Sequence, residues 1–181
     1  MSATNDRNVV ALDAADGLGF EARSGADDHA ALKLWLRLLS CTTQVEAEIR
    51  RRLRVRFDTS LPRFDYLAQL YRSPDGLRMK DLSSHLMVSG ANITALTDEL
   101  ERDGLVTRTA SATDRRSFIL ILTPGGRKQF EQMAQEHEKW VLELFAALDA
   151  TALHHVYEAL GRLRVHVLQS QAQSFDPFEP Q

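Results

Sequence analysis

The stretch that most constrains the fold runs from Arg78 to Thr123, because its spacing predicts two short helices followed by a hairpin. Leu82 and Leu86 recur at four-residue spacing, which places them on one face of a first helix. The turn Val88-Ser89-Gly90 follows: its glycine frees the backbone, and Ser89 is a residue type that caps the next helix. The pattern is typical of a helix-turn-helix.

The second helix predicts a face suited to reading DNA. Ile93, Leu96 and Leu100 form its apolar stripe. Its outward face is small and polar near the start, with Ala91, Asn92, Thr94 and Ala95 after the capping Ser89. Short hydrogen-bonding side chains at the beginning of a helix suit the DNA major groove, where asparagine pairs with adenine. An ordinary helical hairpin with a solvated polar face fits the two helices equally well.

The next segment favours the DNA-binding interpretation. Gly104 suits a left-handed helix cap, and the β-branched and apolar runs Leu105–Ala110 and Phe118–Thr123 predict a β-hairpin. The hairpin concentrates charged residues at its tip and on one strand: Asp114, Arg115, Arg116 and Arg108. Arginine is drawn into a narrow minor groove, and a neighbouring carboxylate orients its guanidinium group. The alternative is a surface Asp–Arg pair that contributes little.

These residues carry a family resemblance. The runs LSSHLMVSGANITALTDELERDGLVTR, then DRR, then ILTPGGRKQF, resemble the winged helix-turn-helix of the MarR family of bacterial transcriptional regulators. The resemblance covers about Leu32 to Leu168 and implies a mainly α fold with a small β-wing. It implies that the helix from Ser89 is the recognition helix, and that Arg116 enters the minor groove beside Asp114. The chain departs from the family where Ala95 and Glu99 replace residues that are often basic.

The rest of the chain predicts helices around this domain. Long apolar-rich helices are expected over Ala30–Phe57 and in two segments after the wing. We therefore divide the chain into a flexible arm (1–28), a helical dimerisation region (29–57 and 124–172), a winged helix-turn-helix domain (58–123) and a tail (173–181). The resemblance implies a homodimer. Such a dimer would hold two recognition helices about 34 Å apart on a palindromic operator.

Charge and motifs exclude several classes of function. The net charge of −3 argues against general polyanion binding. Arg78 to Thr123 holds six basic and six acidic residues, so DNA binding depends on where the charges lie. Neither a membrane span nor a secretory signal is evident, and a single cysteine suits the cytoplasm. We find no catalytic motif, which argues against an enzyme, and we expect no metal and no cofactor.

A small-molecule effector is expected because the resembled family commonly binds aromatic anions between the first helices and the helix after the wing. We expect an aromatic acid or its coenzyme A thioester. The candidate contacts, each of which also suits an ordinary core, are Trp35, Leu39, Arg63, Phe64, Leu67, His137 and Trp140. The arginines between Arg50 and Arg56 suit either solvated charge or contact with phosphates or an anionic effector.

Three alternatives remain open. Cys41 makes a redox-sensing regulator conceivable, although its expected state is buried as a small apolar residue. A winged helix that binds only a partner protein would need an apolar recognition face, which the polar residues here do not provide. The most direct reading is a repressor released by its effector, but the sequence does not locate the operator relative to a promoter, so activation stays open.

Overall fold

The structure is a computed structural model and describes residues 30–86, 90–110 and 118–173. Six helices and three strands lie in these ranges. In chain order they are α1 (Ala30–Phe57), α2 (Leu61–Tyr71), β1 (Leu77–Arg78), α3 (Met79–Leu86), α4 (Gly90–Arg102), β2 (Val106–Ala110), β3 (Phe118–Leu122), α5 (Pro124–Leu144) and α6 (Ala150–Gln173). The predicted mainly α fold with a small β-wing is confirmed.

The chain divides into two units, Met1–His137 and Glu138–Gln181, with the division inside α5. The first unit holds α1 to β3 and the beginning of α5. The second unit holds the end of α5 and all of α6. The dimerisation and DNA-binding regions expected from the sequence remain a prediction, because residue contacts alone do not assign those roles.

The helix α2 begins as its sequence predicts. The Ser60 side chain accepts a hydrogen bond from the Arg63 backbone N–H at 3.4 Å, and the backbone of Ser60 is extended, as an N-cap requires. Pro62 lies in the first turn, where its missing N–H costs no hydrogen bond. The serine-proline pair therefore fixes where α2 starts.

The core of the first unit forms among the short helices and the sheet. Leu67, Leu82, Leu100 and Leu120 come from four different elements, and none has any exposed surface. Burial of a leucine side chain contributes about 1.5–3 kcal/mol. Helical spacing places the leucines of α2, α3 and α4 on the buried face of each helix, and these faces pack together in one core.

The sheet contains a strand that the sequence analysis missed. Its order is β1-β3-β2, all antiparallel, and Leu77 of β1 pairs with Leu120 of β3. A two-residue strand shows no alternation that a sequence pattern can detect. Gly76, at φ +84°, makes it possible: a Cβ built there would lie 2.7 Å from the carbonyl oxygen of Leu120.

The junctions on either side of the hairpin are tied together. Gly104 has φ +69°, which confirms the predicted left-handed cap after α4. The Thr123 hydroxyl donates to the Gly104 carbonyl at 2.7 Å and accepts from the Gly126 N–H at 2.9 Å. A Cβ built at Gly126 would lie 2.8 Å from the carbonyl carbon of Leu105, so only glycine permits this approach. The start of α5 is thereby held against the end of α4.

The helix α6 differs from the core helices because almost all of its side chains are exposed. A row of apolar residues at helical spacing remains between 39% and 45% exposed: Leu153, Val156, Leu160, Leu163 and Val167. None of the helices in the described ranges is long and apolar enough to cross a membrane.

Candidate nucleic-acid interface

The helix α4 presents one buried face and one exposed face, as predicted. Ile93, Thr97 and Leu100 are fully buried. Asn92, Thr94 and Ala95 are exposed near the start of the helix. This is the face that the sequence assigns to DNA, and the small size of its side chains lets a helix approach base edges closely.

A buried polar chain attaches α4 to α2. The Tyr66 hydroxyl lies 2.7 Å from Thr97 Oγ1, and that hydroxyl lies 2.7 Å from the Ile93 carbonyl. Because the Ile93 carbonyl can only accept, Thr97 donates to it and Tyr66 donates to Thr97. Burial raises the pKa of Tyr66 to about 12, so the phenol stays protonated as this chain requires. The chain fixes the rotation of α4 about its axis.

Two arginines from other elements also bind the C-terminal end of α4. Arg108, on β2, forms ion pairs with Asp98 and with Glu101, the latter at 3.4 Å. The hydrogen bond to Asp98 raises the pKa of the Arg108 guanidinium. The predicted contact of Arg108 with DNA remains a prediction. In this structure its guanidinium forms ion pairs with two carboxylates of α4.

Arg63, on α2, makes the second set of ion pairs. It contacts Asp103, immediately after α4, and Glu99 at 3.6 Å. About a fifth of the Arg63 side chain is exposed (21%), whereas its carboxylate partners are nearly half exposed (47% and 49%). The predicted effector contact by Arg63 remains a prediction, and in this structure its guanidinium contacts carboxylates at the C-terminal end of α4.

Several predicted DNA contacts lie outside the described residues. They are Ser89 in the turn before α4 and the hairpin-tip residues Asp114, Arg115 and Arg116. Ala91 lies in the first turn of α4, and nothing is stated of its side chain. The two strands that carry the tip are described, and Ala110 pairs with Phe118 at its base. The hairpin therefore exists as predicted, while its contacts with DNA remain predictions.

An aromatic cluster brings together two of the predicted effector residues. The Phe64 ring lies 4.9 Å from the His137 ring and 5.4 Å from the Phe130 ring, measured between centroids. Phe130 in turn lies 4.9 Å from Tyr71. Burial lowers the pKa of His137, which favours the neutral imidazole. The cluster joins α2 to α5, and its two phenylalanines, Phe64 and Phe130, are each only 6% exposed.

The other predicted effector residues are divided between core and surface. Leu67 is fully buried and Trp140 is 8% exposed, which suits ordinary core residues. Trp35 and Leu39, on α1, are 57% and 49% exposed. Contacts of these residues with an effector remain predictions.

The arginine-rich end of α1 is largely paired along its own helix. Arg50 contacts Glu46 at 2.5 Å, and Arg51 and Arg52 both contact Glu48 at 2.7 Å. The hydrogen bonds from Arg51 and Arg52 lower the pKa of the partly exposed Glu48 to about 2. These contacts favour the solvated-charge interpretation of this run.

Cys41, on the same helix as the arginine run, is exposed. The expectation that it is buried is wrong, because its neighbours on this part of α1, such as Leu39, are themselves exposed.

Sequence reasoning missed the residues that hold α4 in place. The sequence analysis assigns no role to Thr97, and it predicts no ion pair for the carboxylates that bind the two arginines. A signal is present in the sequence, because the helix and the segment after it carry an unusual concentration of negative charge for a helix predicted to read DNA: Asp98, Glu99, Glu101 and Asp103. Their partners lie up to 40 residues away along the chain, so no local pattern identifies them.

Comparisons with known proteins agree with this geometry. Residues 59–118, which span α2 to the first residue of β3, match the MarR family profile. YfiV of Bacillus subtilis, named an uncharacterized HTH-type transcriptional regulator, is 32% identical over 112 residues, covering 60% of this chain and 68% of YfiV. The crystal structure of a MarR family transcriptional regulator from Silicibacter pomeroyi is 33% identical, with a TM-score of 0.65, and covers 81% of this chain and 99% of that one.

The chain belongs to the MarR family. It is thus a DNA-binding transcriptional regulator, and the sequence-based identification of the family and of a non-enzymatic protein is confirmed. A further relative is BadR of Rhodopseudomonas palustris, named a transcriptional activatory protein. It is 35% identical over 95 residues, and the match spans 50% of this chain and 54% of BadR.

Proposed function

We propose that this MarR-family protein is a cytoplasmic, ligand-responsive repressor that binds a palindromic operator as a homodimer and is released by an aromatic acid or its coenzyme A thioester. The observation that supports DNA recognition is the difference between the two halves of α4. Its C-terminal half is bound by α2 and β2, while Asn92, Thr94 and Ala95 remain exposed. Small polar side chains at the start of such a helix are suited to base edges in the major groove.

Dimerisation is supported by the apolar surface of α1 and α6. The side chains of Leu160 and Leu163 on α6 are 39% and 45% exposed, and Leu34 on α1 is 55% exposed. A contiguous apolar row at helical spacing is costly in water and is covered when two copies associate. Two-fold pairing would place two copies of α4 on successive turns of a palindrome.

The effector is proposed from the aromatic cluster of α2 and α5. The Phe64 ring lies within stacking distance of both the Phe130 ring and the His137 ring, and a planar aromatic ligand matches such side chains. The same helix, α2, carries Tyr66 and Arg63, which hold α4. A ligand that moves α2 would therefore change how the recognition helix is presented. Its effect on DNA binding is limited to its affinity difference between the two arrangements.

DNA reading is tested with a duplex that the wild-type protein selects from a randomised library, beside a scrambled duplex of equal length. We expect Asn92→Ala to weaken binding to the selected duplex roughly tenfold and to leave the scrambled duplex nearly unaffected. The Gln135→Ala variant, at an exposed position of α5, serves as the matched control. The Arg116→Ala variant extends the test to the hairpin tip. Equal binding of both duplexes by the wild-type protein would reject the proposal.

The effector is tested by measuring the affinity of substituted benzoates and their coenzyme A thioesters with and without the selected duplex. Linkage requires weaker ligand binding to the DNA-bound form, by the same factor as the ligand weakens DNA binding. Identical ligand affinities in both states would reject release by these compounds.

Activation is a second candidate, favoured by the name of BadR as a transcriptional activatory protein. A reporter gene behind the selected duplex distinguishes the two roles. Repression predicts higher expression when the protein is deleted, and activation predicts lower expression.

A further inference from the structure

The C-terminal end of α4 carries an excess of negative charge that a DNA-reading helix has to accommodate. Asp98, Glu99 and Glu101 lie on the helix, and Asp103 follows it directly. Carboxylates at this end oppose the helix dipole, whose C-terminus is itself negative. They also repel the phosphates of any duplex that α4 approaches. Such residues would weaken both the helix and its binding to DNA unless other groups compensate them.

Compensation comes from two arginines, one on each of two neighbouring elements. Arg63 of α2 contacts Asp103 and, at 3.6 Å, Glu99. Arg108 of β2 contacts Asp98 and, at 3.4 Å, Glu101. Each guanidinium therefore bridges two carboxylates. Both arginine side chains are about three-quarters or more covered, at 21% and 26% exposed.

These pairs differ from ordinary surface ion pairs. The pairs on α1 join residues three or four positions apart on one helix, with Arg50 and Arg51 more than half exposed. The pairs of Arg63 and Arg108 instead join separate elements. The Nε atoms of both arginines are buried and form no hydrogen bond among the described residues, although the Nε of Arg108 lies 3.4 Å from the Glu101 carboxylate.

We propose that Arg63 and Arg108 are positioning residues for DNA recognition. From two neighbouring elements they hold α4 at the angle that its exposed face needs, and they mask its carboxylates from the phosphate backbone. The buried chain from Tyr66 to Thr97 fixes the same half of the helix. Neither arginine needs to touch DNA in this role. The planar guanidinium fork, which binds two carboxylates in a fixed geometry, sets the angle, and its positive charge provides the masking.

Different substitutions separate the two roles of each arginine, namely positioning of α4 by the planar guanidinium and masking of carboxylates by its positive charge. Arg63→Met or Arg108→Met removes both the fork and the charge. Arg63→Lys or Arg108→Lys keeps the charge but loses the fork. The triple variant Arg63→Met, Glu99→Gln, Asp103→Asn removes the fork together with the carboxylates it masks. Arg162→Met, at an exposed arginine of α6, is the matched control.

The test measures the affinity of the full chain for the selected duplex and for the scrambled duplex over a series of salt concentrations, with the thermal midpoint measured beside it. For the methionine variants we expect a loss of roughly ten- to a hundredfold on the selected duplex, and a smaller loss on the scrambled one. Compared with the methionine variants, the lysine variants should regain affinity for the scrambled duplex but not the full preference for the selected duplex. The triple variant should restore scrambled-duplex affinity without restoring preference.

The outcomes that overturn the proposal are equally specific. A folded methionine variant whose preference for the selected duplex stays within about twofold of the wild type rejects positioning. If a methionine variant unfolds, the lysine variants decide, because full preference in both rejects the role of the fork. The proposal rests on α4 being the reading helix. If the wild-type protein binds both duplexes equally, the proposed function fails and this inference with it, whereas failure of the inference alone appears only in the variants.

Discussion

The winged-helix core and the last helix differ in how far their apolar side chains are buried. Leu120 of β3 and Leu82 of α3 have no exposed surface, whereas Leu160 and Leu163 of α6 remain 39% and 45% exposed. The core obtains its burial from neighbouring elements of the same chain. The last helix has a row of comparable residues that its own unit does not cover. The difference suggests that folding stability resides in the first region and association in the second.

The largest effect should come from charging the apolar row of α6. We expect Leu160→Glu with Leu163→Glu to weaken self-association by more than about a hundredfold, since burying an unpaired carboxylate costs several kcal/mol. Sedimentation velocity over a range of concentrations measures the change. Gln169→Glu, on the opposite side of the same helix, should leave association unchanged. A double variant that still forms dimers at wild-type concentrations would show that α6 is not the association surface.

The next effect concerns the core. Leu120→Ala should lower the free energy of unfolding by about 2–5 kcal/mol, because it leaves a cavity in a fully buried site. The same substitution at Leu168 of α6, which is 55% exposed, should change it by less than about 0.5 kcal/mol. Urea unfolding measures both variants. Equal losses at the two positions would remove the distinction between the regions.

A smaller effect is expected from a single hydroxyl. Tyr66→Phe removes the donor to Thr97 and should cost about 1 kcal/mol of folding free energy, while Thr97 keeps its bond to the Ile93 carbonyl. Tyr157→Phe, on α6 and 76% exposed, should have no measurable cost. Thermal unfolding of the two variants compares them directly. A loss at Tyr157 as large as that at Tyr66 would contradict the buried hydrogen-bond chain.

The smallest effect is a dependence on pH. Burial lowers the pKa of His137 below its ordinary value of 6.5, so the folded chain holds the neutral imidazole. As pH falls through 6.5, the unfolded chain takes up a proton that the folded chain does not, and stability decreases until the lowered pKa is reached. At higher pH the contribution is fully present. His137→Gln should flatten the thermal midpoint between pH 7.5 and 5.5, in a titration at roughly these values. An unchanged slope in the variant would assign the pH dependence elsewhere.

Local patterns predicted the parts of the fold that local chemistry determines. The spacing of Ile93 and Leu100 gave the buried face of α4, and Gly104 gave its cap. The strand β1 was missed because two residues show no periodicity, and its pairing depends on Gly76 approaching β3. The same limit applies to the candidate site. Exposure of Asn92 follows from helical periodicity, whereas the contact between Arg63 and Asp103 joins residues 40 apart and depends on how α2 packs against the end of α4.

The exposure of one tryptophan has an optical consequence. The sequence contains two tryptophans, of which Trp35 on α1 is 57% exposed and Trp140 on α5 is 8% exposed. Their indole rings report different surroundings, since emission shifts to shorter wavelength when water is removed. If a second copy or a ligand covers α1, the emission of Trp35 should shift to shorter wavelength, whereas that of the already buried Trp140 should stay nearly constant. The Trp35→Phe variant isolates the buried fluorophore as a constant reference, so the protein provides its own label for following assembly in solution.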